Sequence, residues 1–138
     1  MQPAHKVLIV EDSELQADML NYNLDNLGLK NITKATNGVH ALELFENALL
    51  DGSRYSLVFL DIVMPEMDGQ EALMRMRAME KKAGVSDENK TTIIMTTSLS
   101  SPEDMISALL EGDCTDYIVK PVTEDLLRLM LAKYGFTG

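Results

Sequence analysis

Asp61 closes a run of four apolar residues, Leu57 to Leu60, in the stretch LVFLDIVMPEMDG, and a proline and a glycine follow it. An aspartate in that place often caps a turn or a helix. Three other places carry polar groups after short apolar runs. Glu11-Asp12 follows VLIV, Thr96-Thr97-Ser98 follows IIM, and Lys120-Pro121 follows YIV. Three carboxylates held close raise one another's pKa and call for a cation beside them. Hard oxygen ligands at a cleft edge suit Mg²⁺, which takes one or two carboxylates and keeps waters and phosphate oxygens. Lys120 offers a mobile point charge of the kind that pairs with phosphate. A threonine hydroxyl can donate to a phosphoryl oxygen, and a carboxylate can accept a phosphoryl group as an aspartyl phosphate. Such a transfer asks mainly for positioning and charge stabilisation.

The elements that would bring these residues together can be read along the chain. Val7–Val10, Ile32–Thr36, Leu57–Leu60, Thr92–Thr96 and Tyr117–Val119 read as strands. Between them lie helical patterns: Ala17, Leu20, Leu24 and Leu27 up to Gly28; Ala41, Leu44, Phe45, Ala48 and Leu49; Ala72, Met76, Met79 and Ala83. A fourth helix starts at Ser101-Pro102-Glu103 and carries Met105, Ile106, Leu109 and Leu110. A fifth starts at the cap Thr123 and carries Leu127, Met130, Leu131 and Tyr134. Asn37-Gly38 reads as a turn and Gly84–Lys90 as a polar linker. Five βα units in unbroken alternation predict a parallel sheet with helices on both faces, in one domain spanning 1–138. Ligands of such sheets sit outside the carboxyl ends of the strands, which is where the acids, hydroxyls and Lys120 fall.

The bulk composition narrows the function. Twelve Lys and Arg against 22 Asp and Glu leave a net charge of −10, with a pI near 4.5. That balance argues against direct contact with nucleic acid and against docking on an anionic membrane. No apolar run is long enough to span a bilayer. The single cysteine, Cys114, permits no internal disulfide and fits a reducing cytoplasm. His5 and His40 read as solvent-exposed, and the ten methionines read mostly as core filler.

The chain resembles the receiver domain of two-component response regulators, the family that includes the chemotaxis regulator. The marks are LIVED, ATNGVHALELF, LVFLDIVMPEMDG, IIMTTS and DYIVKPV, in that order across nearly the whole chain. The resemblance implies a flavodoxin-like strand order, 2-1-3-4-5. It implies that Asp61 is the phosphoacceptor, that Asp12 is the main Mg²⁺ ligand with Glu11 as second acid, and that the Val63 backbone carbonyl completes the metal site. Thr97 corresponds to the switch hydroxyl, Tyr117 to the switch aromatic, and Lys120 to the lysine that pairs with the phosphoryl group. The Lys120–Pro121 bond is expected to be cis. Local alternatives stand beside these roles. Asp12 could cap the first helix, Thr96 could replace Thr97 with the other pointing to the opposite face, and Tyr117 could be a plain core aromatic.

The family expectation is a phosphorylation switch rather than an enzyme with a separate substrate. A histidine kinase or a histidine phosphotransfer protein would donate, and a protein target would read the surface of the fourth helix, fifth strand and fifth helix. A monomer and a phosphorylation-dependent dimer both fit. If KYGFTG is the natural end, output is by protein docking; an excised receiver of a larger regulator is the alternative, as is an interaction module that needs no phosphorylation. Three features depart from the family pattern: DCTD before Tyr117 is one residue long, Val122 stands where Phe is more usual, and the linker before the fourth strand is long. An Asp-nucleophile phosphatase is disfavoured because Val63 stands where its second acid belongs. A nucleotide-binding domain is disfavoured because no glycine-rich phosphate loop follows the first strand. Val63 and Leu99 are apolar where the family's side chains flank the attacking water, which implies slow self-dephosphorylation.

Overall fold

The structure, a computed structural model, describes residues 5–62, 64, 67–98 and 113–137. Its elements are β1 (Lys6–Val10), α1 (Glu14–Asn26), β2 (Asn31–Ala35), α2 (Gly38–Asp51), β3 (Leu57–Asp61), α3 (Gly69–Lys82), β4 (Thr92–Thr97), β5 (Asp116–Val119) and a C-terminal helix (Glu124–Lys133). The five strands form one parallel sheet in the order β2-β1-β3-β4-β5, as the resemblance implied. The expected fourth helix, with Met105, and the positions Val63 and Leu99 lie outside the described residues.

The apolar runs are continuous because both faces of the sheet are covered. Leu8, Val10, Val58, Leu60, Ile93 and Met95 point to one face, where Phe45, Leu73 and Met76 of α2 and α3 pack. Val7, Ile9, Leu57, Phe59 and Ile94 point to the other, against Leu20 and Leu24 of α1 and Leu127 and Leu131 of the C-terminal helix. Each fully buried Leu, Ile or Phe contributes about 1.5–3 kcal/mol.

Helix starts follow local chemistry. Ser13, Asn37, Asp68 and Thr123 each cap a helix with a side-chain oxygen that accepts a backbone N–H of the first turn. Asn37-Gly38, at the passage from β2 into α2, supplies the cap and the first helical residue. The linker 84–90 holds a short 3₁₀ turn, Asp87–Asn89. The reading of one residue changes. His5 is half-buried, with its ring edge-on to Phe136 at 4.8 Å. Met19 and Met74 are more than half exposed, while Met64, Met67, Met76 and Met95 are core.

The longer entry to β5 is accommodated locally. Asp113 takes a left-handed backbone conformation (φ 58°), and the Thr115 hydroxyl accepts from the Ile93 N–H at 3.0 Å. Cys114 between them is buried, and burial pushes its thiol up to about 11. Alkylation proceeds through the thiolate. Its rate at Cys114 in native protein should therefore climb about tenfold per pH unit from 8 to 10, where an ordinary thiol levels off near its pKa of about 8.5. Iodoacetamide labelling followed by intact mass checks this, and a plateau near pH 9 would contradict it.

Candidate functional site: an acidic rim at the strand ends

The carboxyl ends of β1, β3 and β4 and the turn after β5 form one rim. Val10 pairs with Leu60 and Asp61 with Thr96, so Glu11 and Asp61 leave neighbouring strands at the same level. Ligand oxygens of Glu11, Asp12 and Asp61 all lie within 4.8 Å of one another, with Glu11 and Asp61 buried and Asp12 exposed. Ser13 rather than Asp12 caps α1, so the capping role does not fall to Asp12.

Lys120 reaches this cluster from the far end of the chain. Its Nζ donates to Glu11 Oε2 at 2.8 Å and to Asp61 Oδ2 at 3.1 Å. Burial disfavours the charge on Lys120, but its bonds to Glu11 and Asp61 outweigh that and hold its pKa above the usual lysine range. Burial beside the Asp61 charge raises the Glu11 carboxyl, against the opposing pull of Lys120 and the Ser13 N–H. For this tightly paired set the geometry favours the ion pair, with Lys120 charged between two carboxylates. The backbone of Lys120 is tied as well, its N–H donating to the Thr97 carbonyl at 2.7 Å. The following bond, Lys120–Pro121, is cis.

Strand alternation separates the two threonines. Thr96 lines the cleft between α1 and residues 120–122, with Ser98 beside it. Thr97, fully buried, shares the parity of Ile93 and Met95 on the opposite face. Tyr117 packs half-buried on that same face. Thr97 and Tyr117 are thus on one side of the sheet and Thr96 on the other. The Val63 carbonyl lies outside the described residues, so the described part of the rim is Glu11, Asp12, Asp61, Thr96, Thr97 and Lys120. His40 stays exposed on α2, away from the rim.

Sequence reasoning passed over two residues here. Gln16 accepts from Lys120 Nζ at 2.6 Å, a contact 104 positions apart in the chain. Gly69, the first residue of α3, donates its N–H to the Ile62 carbonyl at 2.7 Å and lies against the backbone of Asp61. No local pattern marks Gln16; the glycine could have been suspected from its place one residue after the cap Asp68.

The donor set fits a small divalent cation: three carboxylates with converging oxygens at a cleft edge are hard ligands of the kind Mg²⁺ prefers. A parallel sheet in this order with acids and a lysine at its carboxyl rim defines a doubly wound α/β protein of the flavodoxin-like class, with its ligand site at that rim. The chain belongs to the response regulator receiver domain family, whose model matches residues 7–132. It is therefore a receiver domain of two-component or phosphorelay signalling. It is 33% identical over 122 residues to the chemotaxis protein CheY of Bacillus subtilis (strain 168), covering 88% of this chain and 90% of that protein. It is 31% identical over 133 residues to the hybrid signal transduction histidine kinase L of Dictyostelium discoideum, covering 96% of this chain but only 7% of that protein. The CheX–CheY–BeF3–Mg+2 complex from Borrelia burgdorferi contains a similar fold, with a TM-score of 0.79 and 25% identity over 94% of this chain and 89% of that one. No helix among the described residues is long and apolar enough to cross a membrane.

Proposed function

We propose that Asp61 accepts a phosphoryl group from a phosphohistidine, presented by a histidine kinase or a histidine phosphotransfer protein. One observation carries this reading: Lys120 bridges Glu11 and Asp61 inside a cluster of three converging carboxylates. The N–P bond of the donor breaks as an Asp61 carboxylate oxygen forms the new P–O bond, and the imidazole leaves. Lys120 keeps a fixed positive charge at the carboxylate and donates to the phosphoryl oxygens as they arrive. Asp12, Asp61 and Glu11, with the Val63 carbonyl as a further donor, would hold Mg²⁺. When bound, that ion supplies positive charge that offsets the charge on the phosphoryl oxygens. The chain acts as phosphoacceptor, not as a catalyst of a separate substrate.

The new charge on Asp61 then recruits the Thr97 hydroxyl, and Tyr117 on the same side of the sheet follows it. Output passes to a protein partner over the face expected of the fourth helix, β5 and the C-terminal helix, where Val119 and Leu129 are exposed. A net charge of −10 suits that partner better than nucleic acid, and a cytoplasmic setting suits the single buried thiol. Intact mass after incubation with acetyl phosphate tests the reading. One phosphoryl group should appear, dependent on Mg²⁺ and absent in Asp61→Asn. Absence of an adduct in folded wild-type protein, with trapping fast enough for a short-lived species, would favour an interaction module that works without phosphorylation.

The lifetime follows from two apolar side chains. Neither Val63 nor Leu99 can orient a water by hydrogen bonding. The double variant Val63→Asn/Leu99→Glu should shorten the phosphoryl half-life by about tenfold or more. An unchanged half-life would remove these positions from the account.

A further inference from the structure

Lys120 Nζ has three acceptors in the structure: Glu11 Oε2, Asp61 Oδ2 and Gln16 Oε1. An ammonium has three N–H bonds and no more. Two of the acceptors, at the end of β1 and on α1, take no part in the bond changes. Glu11 is buried at the end of β1, and its second oxygen accepts from the Ser13 N–H at 3.2 Å. Gln16 is in the first turn of α1, where its own N–H donates to the Ser13 hydroxyl at 3.3 Å. Ser13 thus bonds both the Glu11 carboxylate and the backbone of Gln16. Two N–H bonds held by Glu11 and Gln16 leave the third directed at Asp61.

We propose that Gln16 is a positioning residue for phosphoryl transfer: with Glu11 it aims the remaining N–H of Lys120 at the acceptor carboxylate. The proposal rests on Asp61 being the phosphoacceptor. A lysine stem carries about 2 kcal/mol of rotamer entropy, and an unaimed ammonium would have to be ordered during the reaction. A neutral amide suits the task, since a fourth carboxylate would add repulsion against an anionic phosphoryl donor. Gln16 also walls a cleft of about 420 Å³ with Met19, Leu20, Pro121 and Val122. The pairs of Lys120 with Glu11 and Asp61 lie on the more buried side of this cleft, where an aimed donor is stronger than in open water.

The test is the initial rate of phosphoryl uptake from acetyl phosphate at saturating Mg²⁺, read by intact mass. Gln16→Leu, Lys120→Ala and the double variant are compared with wild type. Gln16→Leu should slow uptake about three- to tenfold when Lys120 is present. It should change the rate less than about twofold in the Lys120→Ala background, because the coupling runs through the ammonium. A merely structural effect on α1 would slow both backgrounds equally, and that result, or an unchanged rate in Gln16→Leu, overturns the proposal. Wild-type protein that takes up no phosphoryl group would instead sink the assignment of Asp61, and the role of Gln16 with it.

Discussion

Gly69→Ala should lower stability by about 3 kcal/mol and slow phosphoryl uptake about 100-fold. A Cβ at this position would lie 2.1 Å from the Asp61 carbonyl oxygen and 2.7 Å from the Ile62 Cα. These are backbone atoms, so no flexible side chain can swing away. Gly69 is not among the glycines with positive φ, so space and not dihedral freedom requires the glycine. Nor can β3 yield, because it is paired on both edges, with β1 through Leu60 and with β4 through Asp61. The start of α3 must move instead, which breaks the Gly69–Ile62 bond and shifts the cap that Asp68 provides to Glu71. The start of α3 and the connection from Ile62 then shift beside Asp61, and a misplacement of about 1 Å next to a reacting group costs up to about 10² in rate. Thermal unfolding and the acetyl phosphate assay measure the two effects. Native stability together with a native rate would show that α3 is not held against β3 in this way.

Glu80→Ala should cost about 3–5 kcal/mol while leaving the rate at Asp61 nearly unchanged. Glu80 is buried near the end of α3. One of its oxygens accepts from Arg77 Nη1 at 2.7 Å and the other from the Thr91 N–H at 2.7 Å. Arg77 in turn donates to the carbonyls of Thr91 and Asp113, at 2.9 and 2.8 Å. The pair therefore fastens α3 to the beginning of β4 and to the approach to β5. Removing the carboxylate leaves a nearly buried guanidinium with only the exposed Asp113 carboxylate, 4.0 Å away, as counter-charge, and the Thr91 N–H without its acceptor. For a chain of this length the loss corresponds to a fall in melting temperature on the order of 10–20 °C. Glu80→Gln keeps an acceptor and the shape of the side chain, and should cost roughly half as much. Urea unfolding distinguishes the two variants. A loss below about 1 kcal/mol for Glu80→Ala would mean that water already reaches the pair. The rate at Asp61 should hold because Thr91 precedes β4, at the amino ends of the strands, opposite the acidic rim.

Much of this architecture was legible in the chain itself, and the reason is that its signals are local. A strand buried on both faces shows as a short β-branched run, and a half-buried helix shows as a 3.6-residue period. Caps such as Ser13, Asp68 and Thr123 act within three residues. Alternating strand and helix then require that residues ending the strands share one rim, so Glu11-Asp12, Asp61, Thr96-Thr97-Ser98 and Lys120 could be placed there from sequence, while the choice of Thr97 came with the family resemblance. Their strand order came only through family resemblance, since no local feature tells β1 to lie between β2 and β3.

Contacts between distant segments are another matter. Gln16 and Lys120, or Arg77 and Thr115, meet only because the sheet brings their elements together. Charge alone does not separate the Arg77–Glu80 pair from the solvated pair Arg75–Glu71 on the same helix; burial does. The space denied at Gly69 is likewise set by the backbone of β3, eight positions earlier in the chain. By itself, then, the sequence determined the elements and the kinds of group at their ends, through periodicity and capping. Tertiary structure alone decided which of those groups touch, because contact depends on how closely packed backbones approach.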